Sequence, residues 1–246
     1  METGKTGKYF KYAIGEIIPV VIGILIALQL NTMKEANAER KLEKAYIVSL
    51  IEDIKKDTNN FMTAIDLNEQ RMKYLDSFAS MCFNYKESND PKFFAMYLNS
   101  LIHPDFVSQT ERTLTQLRNS GGMRLITKKI TADSIVQYED YFSRLTNQQV
   151  WYEGMLKDLV NAGIPVFNFK YLPRYKEEMT KERMDEFQRT AKIETKDEKV
   201  IIELGNRAVM YKSVTQYYLM LLEEGKQKSQ DLISVLQTDY GIIDID

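Results

Sequence analysis

The stretch AIGEIIPVVIGILIALQL, residues 13–30, holds one charge (Glu16) and one amide (Gln29) among its eighteen residues. At about 1.5 Å of rise per residue, a helix of that length is roughly 27 Å long, close to the ~30 Å hydrocarbon core of a bilayer. Phe10 and Tyr12 before it, and Asn31 and Thr32 after it, extend it into interfaces where aromatic and polar residues are favoured. Its polar residues sit near the ends, which keeps the insertion penalty modest. The stretch predicts a transmembrane helix over residues 12–31, after a short basic tail (1–11) and before a soluble domain (32–246). The competing reading is a cleavable signal peptide, with Lys5, Lys8 and Lys11 as its basic region and Ala36-Asn37-Ala38 as its small-residue site. Against that, the apolar run exceeds the usual ~7–15 residues and ends well before the site.

Orientation follows from the flanks. Three lysines precede the helix, and Lys34, Arg40, Lys41 and Lys44 follow it, so basic count alone is nearly even. A tail of about a dozen residues is normally retained inside while a long domain crosses. The expected placement is the inner (cytoplasmic) membrane, single-pass, N-terminus inside and C-terminal domain periplasmic. Gly15, Pro19, Gly23 and Ala27 recur every four residues and share one face, which lets helix backbones approach closely. Pro19 lacks an amide donor and is expected to kink the first half. Glu16 lies about one turn inside the span. It either meets a partner's polar group or cation pathway, or reaches the headgroups beside Lys11 and Tyr12.

Outward from the span, composition narrows the rest. The chain has 246 residues, a net charge of -2, one Cys and one His. The charge excludes a polycation for nucleic acid, the single Cys excludes an intramolecular disulfide framework, and the single His excludes a histidine-rich metal cluster. The apolar fraction of 44% is too high for disorder.

Beyond the span the periodicity is helical nearly throughout. Ile47, Ile51, Ile54, Thr58, Phe61, Ile65, Asn68, Met72, Leu75, Ala79 and Cys82 alternate steps of four and three, a heptad-type seam. It predicts a rod continuing the membrane helix to about Phe83. Asp90-Pro91 reads as an N-cap and first position of a short helix, and Ser108-Gln109-Thr110-Glu111 as a capping box opening another, stopped by Gly121-Gly122. A second seam runs through Ile135, Tyr138, Phe142, Leu145, Gln149, Tyr152, Leu156 and Leu159 to Gly163. A third holds Ile201, Leu204, Ala208, Tyr211, Thr215, Tyr218, Leu222, Gly225, Leu232 and Leu236. No such helix buries its stripe alone. The expected fold class is all-α: an N-terminal transmembrane helix continuing into an elongated antiparallel helical bundle with three long helices. The shorter helices would cap the ends or supply a fourth layer.

Signals for chemistry are few. Gly4-Lys5-Thr6 lacks the first glycine and preceding strand of a phosphate loop. His103 beside Pro104-Asp105 has no nucleophile near it in sequence and reads as an end-of-helix cation. Cys82 lies on the first seam and reads as a small buried hydrophobe. Carboxylates fall in mixed-sign runs such as residues 35–43, read as solvated faces. Glu52, Asp53 and Asp57 share a helix, but a di-metal bundle needs Glu-x-x-His motifs that do not occur here. Aromatic clusters read mainly as core. The loop IPVFNFKYLPRY, residues 164–175, falls outside any seam. Its Phe167, Phe169, Lys170, Tyr171 and Arg174 are the candidate partner or ligand contact.

Residues 7–32, GKYFKYAIGEIIPVVIGILIALQLNT, resemble the N-terminal signature of the DUF6090-type family of single-pass membrane proteins of Bacteroidetes. TLTQLRNSGGMRLI, residues 113–126, is similar to a stretch recurring in the same family. Pro19 stands where an apolar residue is common there, and Thr32-Met33-Lys34 stands where a tryptophan is usual. The resemblance implies a membrane anchor with an α-helical domain and no established activity. The residues together lead to a non-enzymatic, membrane-anchored bundle acting by protein–protein interaction, as scaffold or accessory subunit, with no cofactor and no nucleic acid. Its partners would be the lipid bilayer and either a second copy or another membrane protein. The alternatives are an extracytoplasmic ligand-sensing bundle, or a channel or ion-coupled subunit using Glu16.

Overall fold

A computed structural model describes residues 5–86, 90–101, 106–171, 180–190 and 192–243, with the side chains of 5–13 and of 16, 90, 171, 183, 184, 187 and 188 outside the description. The fold is all-α. Among the described residues six helices follow in order: α1 (Lys5–Phe83), α2 (Asp90–Ser100), α3 (Arg112–Asn119), α4 (Lys129–Gly163), α5 (Lys181–Thr190) and α6 (Glu198–Tyr240). Among the described residues the extended structure amounts to one isolated antiparallel bridge, Phe167 with Ile193, in the α4–α6 connection.

Helix α1 is a single element of 79 residues, about 120 Å long. It divides by burial. Every described side chain from 14 to 42 is exposed except Ala36, and Glu43 is the first buried one. From there Ile47, Ile51, Ile54, Phe61, Ile65, Asn68, Leu75, Ala79 and Cys82 are buried, with Thr58 and Met72 partly so. Leu50, Asp53, Asp57, Ala64, Arg71 and Phe78 are buried as well. The covered face is wider than a heptad seam because α1 has neighbours on two sides.

One neighbour is α6, whose direction is opposite: Tyr240 bonds Glu43 near one end, and Gly205 approaches Cys82 at the other. The second neighbour is the chain returning after α1. Phe93 and Tyr97 of α2 stack on Phe78, the Thr110 amide meets Asp57, Thr113 of α3 meets Asp53, and Thr127 meets Glu43. That segment therefore runs antiparallel to α1 as a fourth arm made of α2, an irregular stretch, α3 and a 3-10 turn (Gly122–Leu125). Helix α4 lines the arm's other side: Tyr97 bonds the Val160 carbonyl, Gln149 bonds that of Val107, and Arg118 pairs with Glu139. Helices α4 and α6 close the ring, through Thr131 with Asp239, Tyr138 with Ser229 and Arg144 with Glu224.

The expected capping box at Ser108–Glu111 does not open α3. The helix begins at Arg112, and its N-cap Glu111 makes no side-chain bond. The Asp53 carboxylate of α1 takes over that role from another helix. Gly121, with φ of +67°, does stop α3. Helix α5, which falls between the second and third seams, packs on α2.

Candidate functional site

Two features stand out from a plain packed bundle: the uncovered half of α1, and the polar groups inside the bundle. In the first, the large aliphatic side chains from Ile14 to Leu30 are between 44% and 62% exposed. Residues from Ile17 onward are apolar and long enough to cross a bilayer, with a mean hydropathy of 1.8 and no part of that window buried. Gly15, Pro19, Gly23, Ala27 and Gln29 all lie on this exposed segment. A methyl group on Gly15 or Gly23 would touch nothing within 4 Å, so no described residue packs on that small-residue face at these two positions. Helix α1 runs through Pro19 without interruption. The Glu16 side chain lies outside the described residues.

The second feature is a set of buried carboxylates on α1. Glu43, Asp53 and Asp57 are all buried, although Glu43 belongs to a run expected to be solvated. Glu43 Oε1 accepts the Thr127 amide at 3.0 Å and the Tyr240 hydroxyl at 2.6 Å. Asp53 Oδ2 accepts the Thr113 amide at 2.9 Å and its hydroxyl at 2.6 Å, while Oδ1 lies 3.0 Å from Arg112. Asp57 accepts the Thr110 amide at 2.8 Å and the Tyr138 hydroxyl at 3.1 Å. The physical reason is the broken fourth arm. Where residues 106–111 are not helical, their backbone amides have no i-4 carbonyl, and buried amides must find acceptors. Sequence periodicity misses these acids because their partners are backbone groups distant in sequence. Neither lies on the apolar seam: Asp53 and Asp57 each precede a seam position, Ile54 and Thr58, by one residue.

Burial raises the Asp57 carboxyl above its usual range, outweighing the hydrogen bonds from Thr110 and Tyr138 that act in the opposite direction; the neighbouring Asp53 adds to the rise. Desolvation likewise lifts the Tyr138 and Tyr211 hydroxyls and the Cys82 thiol, leaving Cys82 a protonated, buried thiol. Further along α1, buried Arg71 donates to Asn68 and, at 2.7 Å, to Tyr152. Thr215 and the Gln149–Tyr218 pair extend this polar layer across α4 and α6, and burial pushes Tyr218 up to about 12.

The aromatic loop is placed differently from its expectation. Phe167 is only 2% exposed, stacked 4.5 Å from Phe94 and 4.5 Å from Tyr97, and Phe169 meets Phe94 edge-on at 5.4 Å. Both rings belong to the core at the end of the bundle far from the apolar segment. Lys170 is exposed, its amide bonding Asn168 Oδ1. The Tyr171 side chain, Arg174, His103, Pro104 and Asp105 lie outside the described residues. Among the described residues no three His, Cys, Asp or Glu side chains group as metal ligands.

The class defined by these observations is an all-α bundle whose long N-terminal helix is apolar and uncovered in its first part. Comparison with protein-family models, with curated proteins and with solved structures gives no significant match.

Proposed function

We propose that the chain is a single-pass membrane protein whose helical bundle works by binding other proteins, as scaffold or accessory subunit. The observation that carries the reading is the division of α1. One continuous helix is packed from Glu43 onward, while its aliphatic first part stands bare. In water a bare run of isoleucine, leucine and valine this long is an aggregation liability, whereas in a bilayer it is solvated. The bundle supports an interaction role because its buried carboxylates already serve backbone amides and its aromatic rings fill the core. The resemblance to DUF6090-type proteins agrees with this reading, and the placement is an N-terminus inside with the bundle in the periplasm. The unoccupied Gly15/Gly23/Ala27 face is where a second copy or another membrane protein would pack.

The test is extraction and crosslinking of the full chain in native membranes. Resistance to alkaline carbonate, protease access to the bundle only from the periplasmic side, and a crosslinked ladder or one recurrent membrane partner are the expected results. Release of the chain by carbonate overturns the anchor. A monomer that crosslinks to nothing overturns the scaffold role and leaves ligand sensing as the better reading.

A further inference from the structure

We infer that the end of the bundle nearest the apolar helix is a foot that rests on anionic phospholipid headgroups, an inference that depends on the membrane-anchor reading above. From Arg112 to Ala132 the chain carries five basic residues and no acidic one, within a protein whose net charge is -2. Arg112 and Arg118, both about half exposed, already pair with Glu52 and Asp53 and with Glu139 respectively. The other three, Arg124, Lys128 and Lys129, fall at the turn where the fourth arm comes back toward the apolar segment.

That turn is the lowest part of the bundle. Arg124 sits 3.9 Å from Glu39, one helical turn closer to the apolar segment than the first buried residue, Glu43. Its side chain is 80% exposed, so the pair is a weak surface contact. Ile130, next to Lys129, is 66% exposed, and Ile243 beyond α6 is also bare. Cationic heads beside bare aliphatic side chains are the pattern of an interfacial contact. Arg40, Lys41 and Lys44 of the adjoining stretch of α1 add positive charge. The acids on this end are Glu35, Glu39, the buried Glu43, Asp133 and Asp239, and Asp244 and Asp246 follow Ile243 in the sequence. Glu35 bonds Asn31, Glu39 faces Arg124, and Asp239 accepts from Thr131.

The spacing fits. Nine residues separate Leu30 from Glu39, a rise of about 13 Å, and the headgroup layer spans about 5–7 Å beyond the hydrocarbon. The remaining gap is closed by long basic side chains and by a lean of the rigid helix toward the foot, within the ~20° mean tilt of membrane helices. Each cation near an anionic surface is worth about a fivefold change in the contact equilibrium, so removing two lowers it about 25-fold.

The experiment uses the full chain reconstituted in phosphatidylcholine vesicles with or without phosphatidylglycerol. A fluorophore is placed on Asn119→Cys, at the exposed end of α3, and headgroup-spin-labelled lipid is the quencher. Quenching that rises with phosphatidylglycerol, falls with added salt and is lost in the Arg124→Gln, Lys129→Gln double variant is expected. This variant avoids Lys128, which bonds the Asp239 carbonyl and lies over the Tyr240 ring, so folding is not at stake. Carbonate-resistant chain whose quenching ignores phosphatidylglycerol, or is unchanged in the double variant, overturns the foot and leaves the anchor standing. Chain that does not float with the vesicles overturns the anchor and the foot together.

Discussion

Asp53 of α1 stands at the N-terminus of α3 and accepts both the amide and the hydroxyl of Thr113, sixty residues away in sequence. It supplies to another helix the cap that a local Ser or Asp normally gives. With Asp57 holding the Thr110 amide four residues on, it fixes the point where the fourth arm resumes helix after its irregular stretch. The carboxylate at a helix N-terminus also meets the favourable end of the helix dipole.

Asp53→Ala removes that cap and strands two donors in the interior. A lost cap costs about 0.5–2 kcal/mol, and buried unsatisfied groups add about 1–3 kcal/mol. Asp53→Asn retains an acceptor for the Thr113 amide and is expected to cost less than half as much. Urea unfolding in detergent measures both. An alanine variant within about 0.5 kcal/mol of the parent contradicts the role given to Asp53.

Asp57 gives a pH signature of definite sign. Its carboxyl is raised above the ordinary 3.8, so the folded state holds the proton more tightly than the unfolded one. Its contribution to stability is then full below the unfolded value and declines as pH rises through the folded one. Asp57→Asn does not titrate, and its amide oxygen still accepts from Thr110. The variant's stability relative to the parent is expected to increase from about pH 4 to about pH 7. Unfolding midpoints for both proteins at the two pH values decide it, and a relative stability that falls toward neutrality is the contrary result.

Glycines on the two long helices separate close approach from open surface. A methyl on Gly225 of α6 would collide with the rings of Phe61 and Tyr141, both buried. Gly225→Ala should therefore cost about 1–3 kcal/mol by overpacking. Gly154 of α4 has nothing within 4 Å of such a methyl, and Gly154→Ala should be neutral or stabilise by up to ~1 kcal/mol through helix propensity. Thermal midpoints that shift in the same direction for both variants would count against this packing.

The long helices were legible because their signal is local: apolar residues repeat at helical spacing, and all ten positions of the last seam, Ile201 to Leu236, are buried. The fourth arm was not, because α2 and α3 are short and the stretch between them is held by Asp53, Asp57 and Gln149 from other helices. Nothing in the spacing of an aspartate shows that its partner is an amide dozens of residues away. Glu43 misled for the same reason, since a mixed-sign run looks solvated until Tyr240 and Thr127 close over one member. The aromatic loop misled because periodicity finds only core that lies on helices. Phe167 enters the core from a bridge with Ile193, outside any helix.

That loop yields a decisive pair of variants. Phe167 touches Phe78, Phe93, Phe94 and Tyr97, so it joins the α4–α6 connection to both α1 and α2. Phe167→Ala leaves a ring-sized cavity among residues fixed on two helices, which cannot collapse to fill it, and should cost about 3–5 kcal/mol. Lys170, three residues further on, is exposed, and Lys170→Ala should leave the unfolding midpoint within about 0.5 kcal/mol of the parent. If the loop were instead a contact for a partner or ligand, the order would reverse: Phe167→Ala would fold with parental stability and lose only binding. Urea unfolding of the two variants, side by side with crosslinking of each in membranes, separates a structural ring from an interaction site.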